Sequence, residues 1–269
     1  MGLIEGRVAV VTGAGRGIGQ AIATTFVREG ACVVVNDLDA GPAEETRAAC
    51  DAIRPGRAVV SLGSVAEPRY TDALMQTAVA RFGALDILVN NAGITRDNVI
   101  HKMTDEDWDL VIDVNLKGTF NCCRSAAPYL RDVAKREKAS GGIRYHRKVV
   151  NFFSTAAIRG NPGQMNYTAA KMGNLGMTRT LAREWGAFHV NVNAVAPGFT
   201  DTRLTQPKES SGENMGVPQA QREAFIKTIP FGRPASPQEV ANVVLFFASP
   251  LADFVTGQEI NVSGGHQIP

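Results

Sequence analysis

A tyrosine four residues before a lysine is the pairing in this sequence best suited to moving a proton. Tyr167 and Lys171 stand in Tyr-Thr-Ala-Ala-Lys, and residues four apart share one face of a helix. A free tyrosine hydroxyl has a pKa of about 10 and is a poor base at neutral pH. A nearby ammonium favours the phenolate and lowers that value. Held together, the pair suits general acid–base work on an alcohol or a carbonyl. Taken alone, the spacing describes a surface pair on an amphipathic helix equally well.

A second constellation lies near the amino end. Thr12-Gly-Ala-Gly-Arg-Gly-Ile-Gly19 follows a short apolar run, Val8 to Val11, and opens a helical pattern. Gly13, Gly17 and Gly19 let the backbone turn sharply and approach a pyrophosphate closely. The helix that starts there offers free N–H groups and a positive dipole end, through Gly17, Ile18 and Gly19. Asp37 closes the next apolar run, where a carboxylate can accept from both hydroxyls of an adenosine ribose. A carboxylate there repels a 2′-phosphate and argues for NAD over NADP. Arg16 argues the other way, because a guanidinium pairs with that phosphate. Asp37 is given the greater weight, and NAD is the expected cofactor.

These residues must be positioned by a larger scaffold. Short apolar strands alternate with helical stretches along the whole chain. Strands are expected at Val8–Val11, Cys32–Val35, Ala58–Leu62, Leu85–Asn90, Val149–Phe153, Val190–Val195 and Ile260–Val262. Helices are expected over about 17–29, 42–53, 67–82, 104–131 and 165–185, with a last one opening at Ser236-Pro237. Thr104 reads as an N-cap followed by Asp105, Glu106 and Asp107. Continuous apolar strands between helices imply a parallel sheet covered on both faces, a doubly wound α/β fold. No linker divides the 269 residues, so one domain over 1–269 is expected. Residues 135–148 and 199–230 read as irregular, the second as a substrate lid.

Composition limits the alternatives. Net charge is +2, with 44% hydrophobic and 20% charged residues, a globular balance without the basic stripe of a nucleic-acid binder. The basic residues Lys135, Arg136, Lys138, Arg144, Arg147 and Lys148 read as a solvated helix end and loop. Cys32, Cys50, Cys122 and Cys123 match no metal or redox spacing. They read as reduced thiols of a cytoplasmic protein, and no metal is expected. No stretch approaches the roughly 20 apolar residues of a membrane span, so no membrane partner is expected.

Together the motifs resemble the short-chain dehydrogenase/reductase family, over nearly the whole chain. Asn90-Asn91-Ala92-Gly93 matches the family's strand-four motif, and Asn115 its helix-four asparagine. Ser154 stands thirteen residues before Tyr167, as in the family. Pro197-Gly198 follows strand six, with Thr200 and Thr202 beyond it. The resemblance implies a single-domain Rossmann-like fold and a nicotinamide-dependent oxidoreductase. It implies that Tyr167 exchanges the substrate proton, and that Lys171 binds the nicotinamide ribose and depresses the tyrosine pKa. It further implies that Ser154 hydrogen-bonds the substrate oxygen and Asn115 holds a water behind Lys171. Cofactor contacts are expected from Gly13, Arg16, Gly17, Ile18, Gly19, Asp37, Ser64, Val65, Asn91, Ala92, Gly93, Pro197, Gly198, Thr200 and Thr202, with Tyr167 and Lys171. One departure is Gly63-Ser64-Val65, where the family often carries Asp-Val or Asn-Val.

The stretch Ile94-Thr-Arg-Asp-Asn98, with Trp108 and Ala196-Pro-Gly-Phe199, resembles the family's 3-oxoacyl-(acyl-carrier-protein) reductase and acetoacetyl-CoA reductase branch. That branch makes a 3-oxoacyl thioester the first substrate expectation, and acyl-CoA or acyl carrier protein the expected partner. A polyol, sugar or steroid dehydrogenase is the alternative enzyme. A dinucleotide-sensing regulator without chemistry is the alternative outside enzymes. The lid carries Leu204, Met215, Val217, Phe225 and Ile229, which implies a partly apolar pocket; Arg203 and Lys208 read as solvent-facing. The family also implies a homotetramer packed through its long fourth and fifth helices.

Overall fold

The computed structural model describes residues 2–207 and 216–267. Seven strands form one parallel sheet in the order β3-β2-β1-β4-β5-β6-β7. They are β1 (Val8–Val11), β2 (Cys32–Asp37), β3 (Ala58–Leu62), β4 (Ile87–Asn90), β5 (Arg147–Phe152), β6 (Val190–Pro197) and β7 (Glu259–Val262). Val10 pairs with Val34 on one side and Leu88 on the other. The strand order therefore reverses between β1 and β4. In an open parallel sheet, a cleft for ligands opens at such a switch point, outside the carboxyl ends of the strands.

Alternation along the strands divides the core in two. Ala9, Val11, Val33, Val35 and Val150 face α1 (Gly17–Arg28), α2 (Ala40–Ile53) and a carboxy-terminal helix, Pro237–Ala248, packing on Phe26, Val240, Val244 and Phe247. Val8, Val10, Val34, Leu88 and Val149 face the other way, onto Leu74, Met75, Ala126, Leu130 and Trp185. These side chains come from α3 (Pro68–Phe82), α5 (Gly118–Ala139) and α7 (Met165–Trp185). Both faces are buried, which is why the strands read as continuous apolar runs.

The expected helix over 104–131 is three pieces. Thr104 caps α4 (Asp105–Ile112), its side chain accepting from the Asp107 N–H. A π-turn over Asp113–Lys117 interrupts the ladder, and α5 then runs on to Ala139. It ends where the Ser140 N–H bonds back to Arg136 and Glu137 and Gly141 takes a positive φ. The irregular segment expected over 135–148 is thus shorter. Its first residues are helical and its last two begin β5.

Those last two are not solvated. Arg147 and Lys148 are buried. Arg147 makes a double hydrogen bond to the Glu137 carboxylate at 2.9 and 3.0 Å. Lys148 Nζ donates to Asp253 at 2.6 Å and to Asn191 at 3.0 Å. Local composition read these cations as a loop, but their strand sits between β4 and β6, and burial is tolerated because each charge is paired.

In the expected lid, α8 (Gln219–Ile226) follows the undescribed residues. Ile229 is buried and Arg203 is half-buried rather than solvent-facing. Lys208 and Met215 lie outside the described residues. The carboxy-terminal helix, α9 (Pro237–Ala248), opens with a capping box between Ser236 and Glu239. Of the remaining short helices among the described residues, α6 (Thr155–Arg159) matters to the site. Among the described residues, no helix is long and apolar enough to cross a membrane.

Candidate active site

The glycine loop joins β1 to α1 beside the switch point. Gly13 takes φ +61, and a Cβ there would stand 2.9 Å from the Ala92 Cα. Only glycine allows this turn to close against the strand-four motif. No side chain among the described residues caps α1, so the N–H groups of Gly17, Ile18 and Gly19 remain available to an anion. Ile18 packs its side chain on the core, leaving only its backbone to face a phosphate.

Asp37 closes β2 with its carboxylate already aimed. Oδ2 accepts from the Gly15 N–H at 2.8 Å, and Oδ1 from Leu38 at 2.8 Å and Asp39 at 3.2 Å. Oδ2 keeps a further lone pair for a hydroxyl donor, whereas Oδ1 already accepts twice. Arg16 donates to Asp39 at 2.6 Å. Ser64 accepts from the Ala66 N–H in a local turn. Val65 is buried against Gly118, where a Cβ would come within 2.6 Å of it.

Asn91 spends its amide on the loop, donating to the carbonyls of Thr12 and Gly13 at 2.9 Å each. Thr12 completes the junction, its hydroxyl accepting from the N–H groups of Asn91 and Ala92. Thr12 was not among the expected site residues, although its place before Gly13 was in plain view. On the other side of the cleft, Thr202 comes close to Gly17, where a Cβ would stand 3.4 Å from its methyl group. Thr200 is buried and bonds back to the Gly198 carbonyl at 3.3 Å. Pro197 ends β6, and its carbonyl accepts from Thr155 at 3.4 Å.

The residues expected to move the proton come from three elements. Ser154 is the N-cap of α6, just past β5, and accepts from the Ala156 N–H at 3.2 Å. Tyr167 and Lys171 project from one face of α7. The Lys171 Nζ lies 5.6 Å from the centroid of the Tyr167 ring and 3.4 Å from the Phe152 carbonyl. Asn115 sits in the π-turn, a distortion often found at functional sites. Its amide donates to the carbonyls of Ile94 at 2.9 Å and Val111 at 3.0 Å, while Oδ1 is buried with no partner among the described residues. Gly93 lies between these groups. A Cβ on it would stand 2.5 Å from Asn115 Oδ1 and 3.1 Å from Lys171 Nζ.

Asn174, one further turn along α7, was missed in the sequence. It donates to the Asn115 carbonyl at 3.1 Å and the Phe152 carbonyl at 3.0 Å, tying the π-turn and the end of β5 to α7. The 167, 171, 174, 178 spacing of one helix face was the available signal. Asn166 was also missed. It donates to the Arg96 and Asp107 carbonyls at 3.0 and 3.2 Å and fixes the start of α7.

Burial sets the charge states here. It lowers the Lys171 pKa to about 8, which leaves the ammonium mostly charged at neutral pH. Burial raises the Tyr167 hydroxyl, the Ser154 hydroxyl pulls it down, and Asp97 adds to the rise. Desolvation, and not Lys171, therefore sets the direction of the tyrosine's shift in this arrangement.

The pieces fit a dinucleotide: an uncapped helix start for phosphates, an oriented carboxylate for ribose hydroxyls, and a lysine and tyrosine at the far end of the cleft. A family model described as enoyl-(acyl carrier protein) reductase matches residues 13–267. The 3-oxoacyl-(acyl-carrier-protein) reductase FabG of Thermotoga maritima is 39% identical over 262 residues, covering 97% of this chain and 98% of its own. The 3-oxoacyl-(acyl-carrier-protein) reductase of Synechocystis is 39% identical over 266 residues, 98% of each chain. FabG of Staphylococcus aureus is 40% identical over 260 residues, 96% of each. With the parallel sheet, its glycine loop and these full-length matches, the chain belongs to the short-chain dehydrogenase/reductase family of nicotinamide-dependent oxidoreductases.

Proposed function

We propose that this enzyme interconverts 3-oxoacyl and 3-hydroxyacyl thioesters, using NAD(H) in preference to NADP(H). The observation that carries the reaction is the hydrogen bond of Ser154 to Tyr167 with Lys171 beside the tyrosine ring, next to an Asn115 Oδ1 that has no partner among the described residues and shares the space at Gly93 with Lys171 Nζ. The thioester rests on the resemblance of the substrate-side sequence and on the relatives' being 3-oxoacyl-(acyl-carrier-protein) reductases.

A bound nicotinamide would supply the hydride and, when oxidised, a positive charge. In the reductive direction Tyr167 gives its proton to the carbonyl oxygen as negative charge develops there. The Ser154 hydroxyl donates to the same oxygen and stabilises that charge. Lys171 would hold the ribose hydroxyls of the bound cofactor, and its ammonium offsets the phenolate left on Tyr167. Asn115 Oδ1 accepts from a water that returns the proton. Gly13, Gly17 and Gly19, with Asp37, Ser64, Val65, Ala92, Gly93, Pro197, Gly198, Thr200 and Thr202, form the cofactor cleft. With Arg16 paired to Asp39, Asp37 is the group that would meet the ribose hydroxyls, which supports the NAD reading.

We read residues 1–269 as one domain with 199–230 as its lid, in a cytoplasmic enzyme. Exposed Phe120 on α5, with Met165 and Met172 on α7, supports a homotetramer packed through these helices. Acyl-CoA or acyl carrier protein is the expected carrier of the substrate.

The test is a panel of 3-oxoacyl thioesters, sugar alcohols and steroids with saturating cofactor, run on the wild type and Tyr167→Phe. Wild type should prefer the thioesters. The variant should lose on the order of 10²–10⁴ in kcat while NADH binding holds. Equal activity of the two proteins refutes the mechanism, and a sugar or steroid preference refutes the substrate class.

A further inference from the structure

The substrate half of the sheet carries a cluster that the reaction does not use. Arg159 ends α6, five residues beyond Ser154. Phe199 follows β6, Phe225 belongs to α8, and His266 lies four residues past β7. Phe225 stacks on Phe199 with centroids 4.7 Å apart and meets the His266 ring at 4.8 Å. The Arg159 guanidinium lies 5.1 Å from the Phe225 centroid, and its Nη1 is 3.0 Å from His266 Nε2. Three strand ends and the lid helix thus meet at one place on the carboxyl edge, where ligands of such sheets lie.

The polarity of that hydrogen bond is fixed by chemistry. A guanidinium has donors only, so Nε2 must accept, and the proton of the neutral ring sits on Nδ1. Burial and the Arg159 charge both lower the His266 pKa, which favours this neutral form. Nδ1 is buried and has no partner among the described residues. Arg159 itself is exposed and meets no carboxylate among the described residues. Arg222, on the same lid helix, is by contrast paired with Asp201 at 3.1 Å. The cluster therefore holds one uncompensated positive charge, resting on a neutral acceptor beside an aromatic wall.

Its place relative to the chemistry follows from the helix. With a rise of about 1.5 Å per residue, Arg159 stands about 7–8 Å along α6 from Ser154. A substrate whose carbonyl meets Ser154 and Tyr167 extends past it. We propose that Arg159 is a substrate-binding residue that pairs with an oxyanion, carboxylate or phosphate, carried by the substrate away from its reacting carbonyl. Such a group takes the guanidinium fork through two charge-assisted bonds, a better partner than the imidazole it replaces. The inference rests on the proposed function only in taking Ser154 and Tyr167 as the reacting end.

Three thioesters separate the possibilities: the neutral acetoacetyl-N-acetylcysteamine, acetoacetyl-CoA with phosphates on the thiol side, and a 3-oxoadipyl-N-acetylcysteamine with a carboxylate on the acyl side. Arg159→Gln should raise KM for a charged thioester about tenfold while leaving its kcat within about twofold. The neutral thioester should be unaffected, and Arg159→Lys should recover part of the loss. The charged thioester that responds identifies the source of the oxyanion. An equal KM rise for all three would mean that Arg159 only packs the lid, and unchanged KM for all three would mean that it binds nothing; either overturns the proposal. Malonate and inorganic phosphate titrated against the fluorescence of the NADH complex need no turnover. Anion binding lost in Arg159→Gln, with no thioester reduced, keeps the Arg159 assignment and refutes the thioester reading. A wild type that binds neither anion and shows no preference for a charged thioester overturns the assignment.

Discussion

Arg16 donates to Asp39 at 2.6 Å, so the one cation of the glycine loop is held by a neighbour of Asp37. Asp37 is itself oriented by three backbone N–H groups. Asp37→Ser should improve NADPH binding about tenfold and weaken NADH severalfold, since the repelled dianion loses its opposing charge. Adding Asp39→Asn should improve NADPH further by releasing Arg16. Fluorescence titration of both cofactors measures this. Tighter NADPH than NADH binding by the wild type would overturn the reading of Asp37.

Gly93 has no room for a methyl group between Asn115 Oδ1 and Lys171 Nζ. Gly93→Ala should push these groups apart and lower kcat about 10²-fold, because a displacement near 1 Å is enough for such a loss. Steady-state kinetics, with circular dichroism to confirm the fold, tests this. An unchanged kcat would show that the two groups work without their present spacing.

Lys171 titrates near 8 rather than at its usual 10.5, because of burial. Between those values the unfolded chain holds a proton that the folded chain has lost. Stability therefore rises as pH climbs through this window, and the contribution is flat below it. The rise should be on the order of 2 kcal/mol and should vanish in Lys171→Met. Urea denaturation at about pH 7.5 and about pH 9.5 reads it out. Parallel pH profiles for the two proteins would contradict the lowered value.

Asp253 holds the buried Lys148 at 2.6 Å, with its own side chain 43% exposed. Asp253→Asn should cost about 1–2 kcal/mol, less than a fully buried pair because water screens the carboxylate. For a chain of this size that is a fall of roughly 2–6 °C in Tm. Kinetics should not change, since Lys148 lies at the amino end of β5, away from the site. Adding Lys148→Met should recover stability; a double variant no better than the single would argue against an unpaired buried charge.

Much of the site was legible because its signals are local. The 167 and 171 spacing is one turn of helix, and the glycine loop is eight consecutive residues between a strand and a helix. What escaped depended on neighbours far along the chain. Asn174 looked like one more polar helix residue, yet it binds the carbonyls of Asn115 and Phe152. Arg147 and Lys148 looked solvated because glycines and cations surround them; their partners Glu137 and Asp253 become visible only once β5 is placed in the sheet. The π-turn at Asn115 left no mark in the 3.6-residue pattern, because a single widened turn shifts the apolar face very little.

The sequence by itself determined the order of strands and helices, the parallel sheet, and the residue types that can move a proton and hold a dinucleotide. These follow from periodicity and backbone preference, which act over a few residues. Only the tertiary structure decided that Arg16 belongs to Asp39, that Asn115 Oδ1 and Lys171 Nζ share the space at Gly93, and that Arg159 rests on His266. Each is a choice of partner between charged or polar groups. Such choices depend on distance and burial after the chain has packed, and no local pattern encodes them.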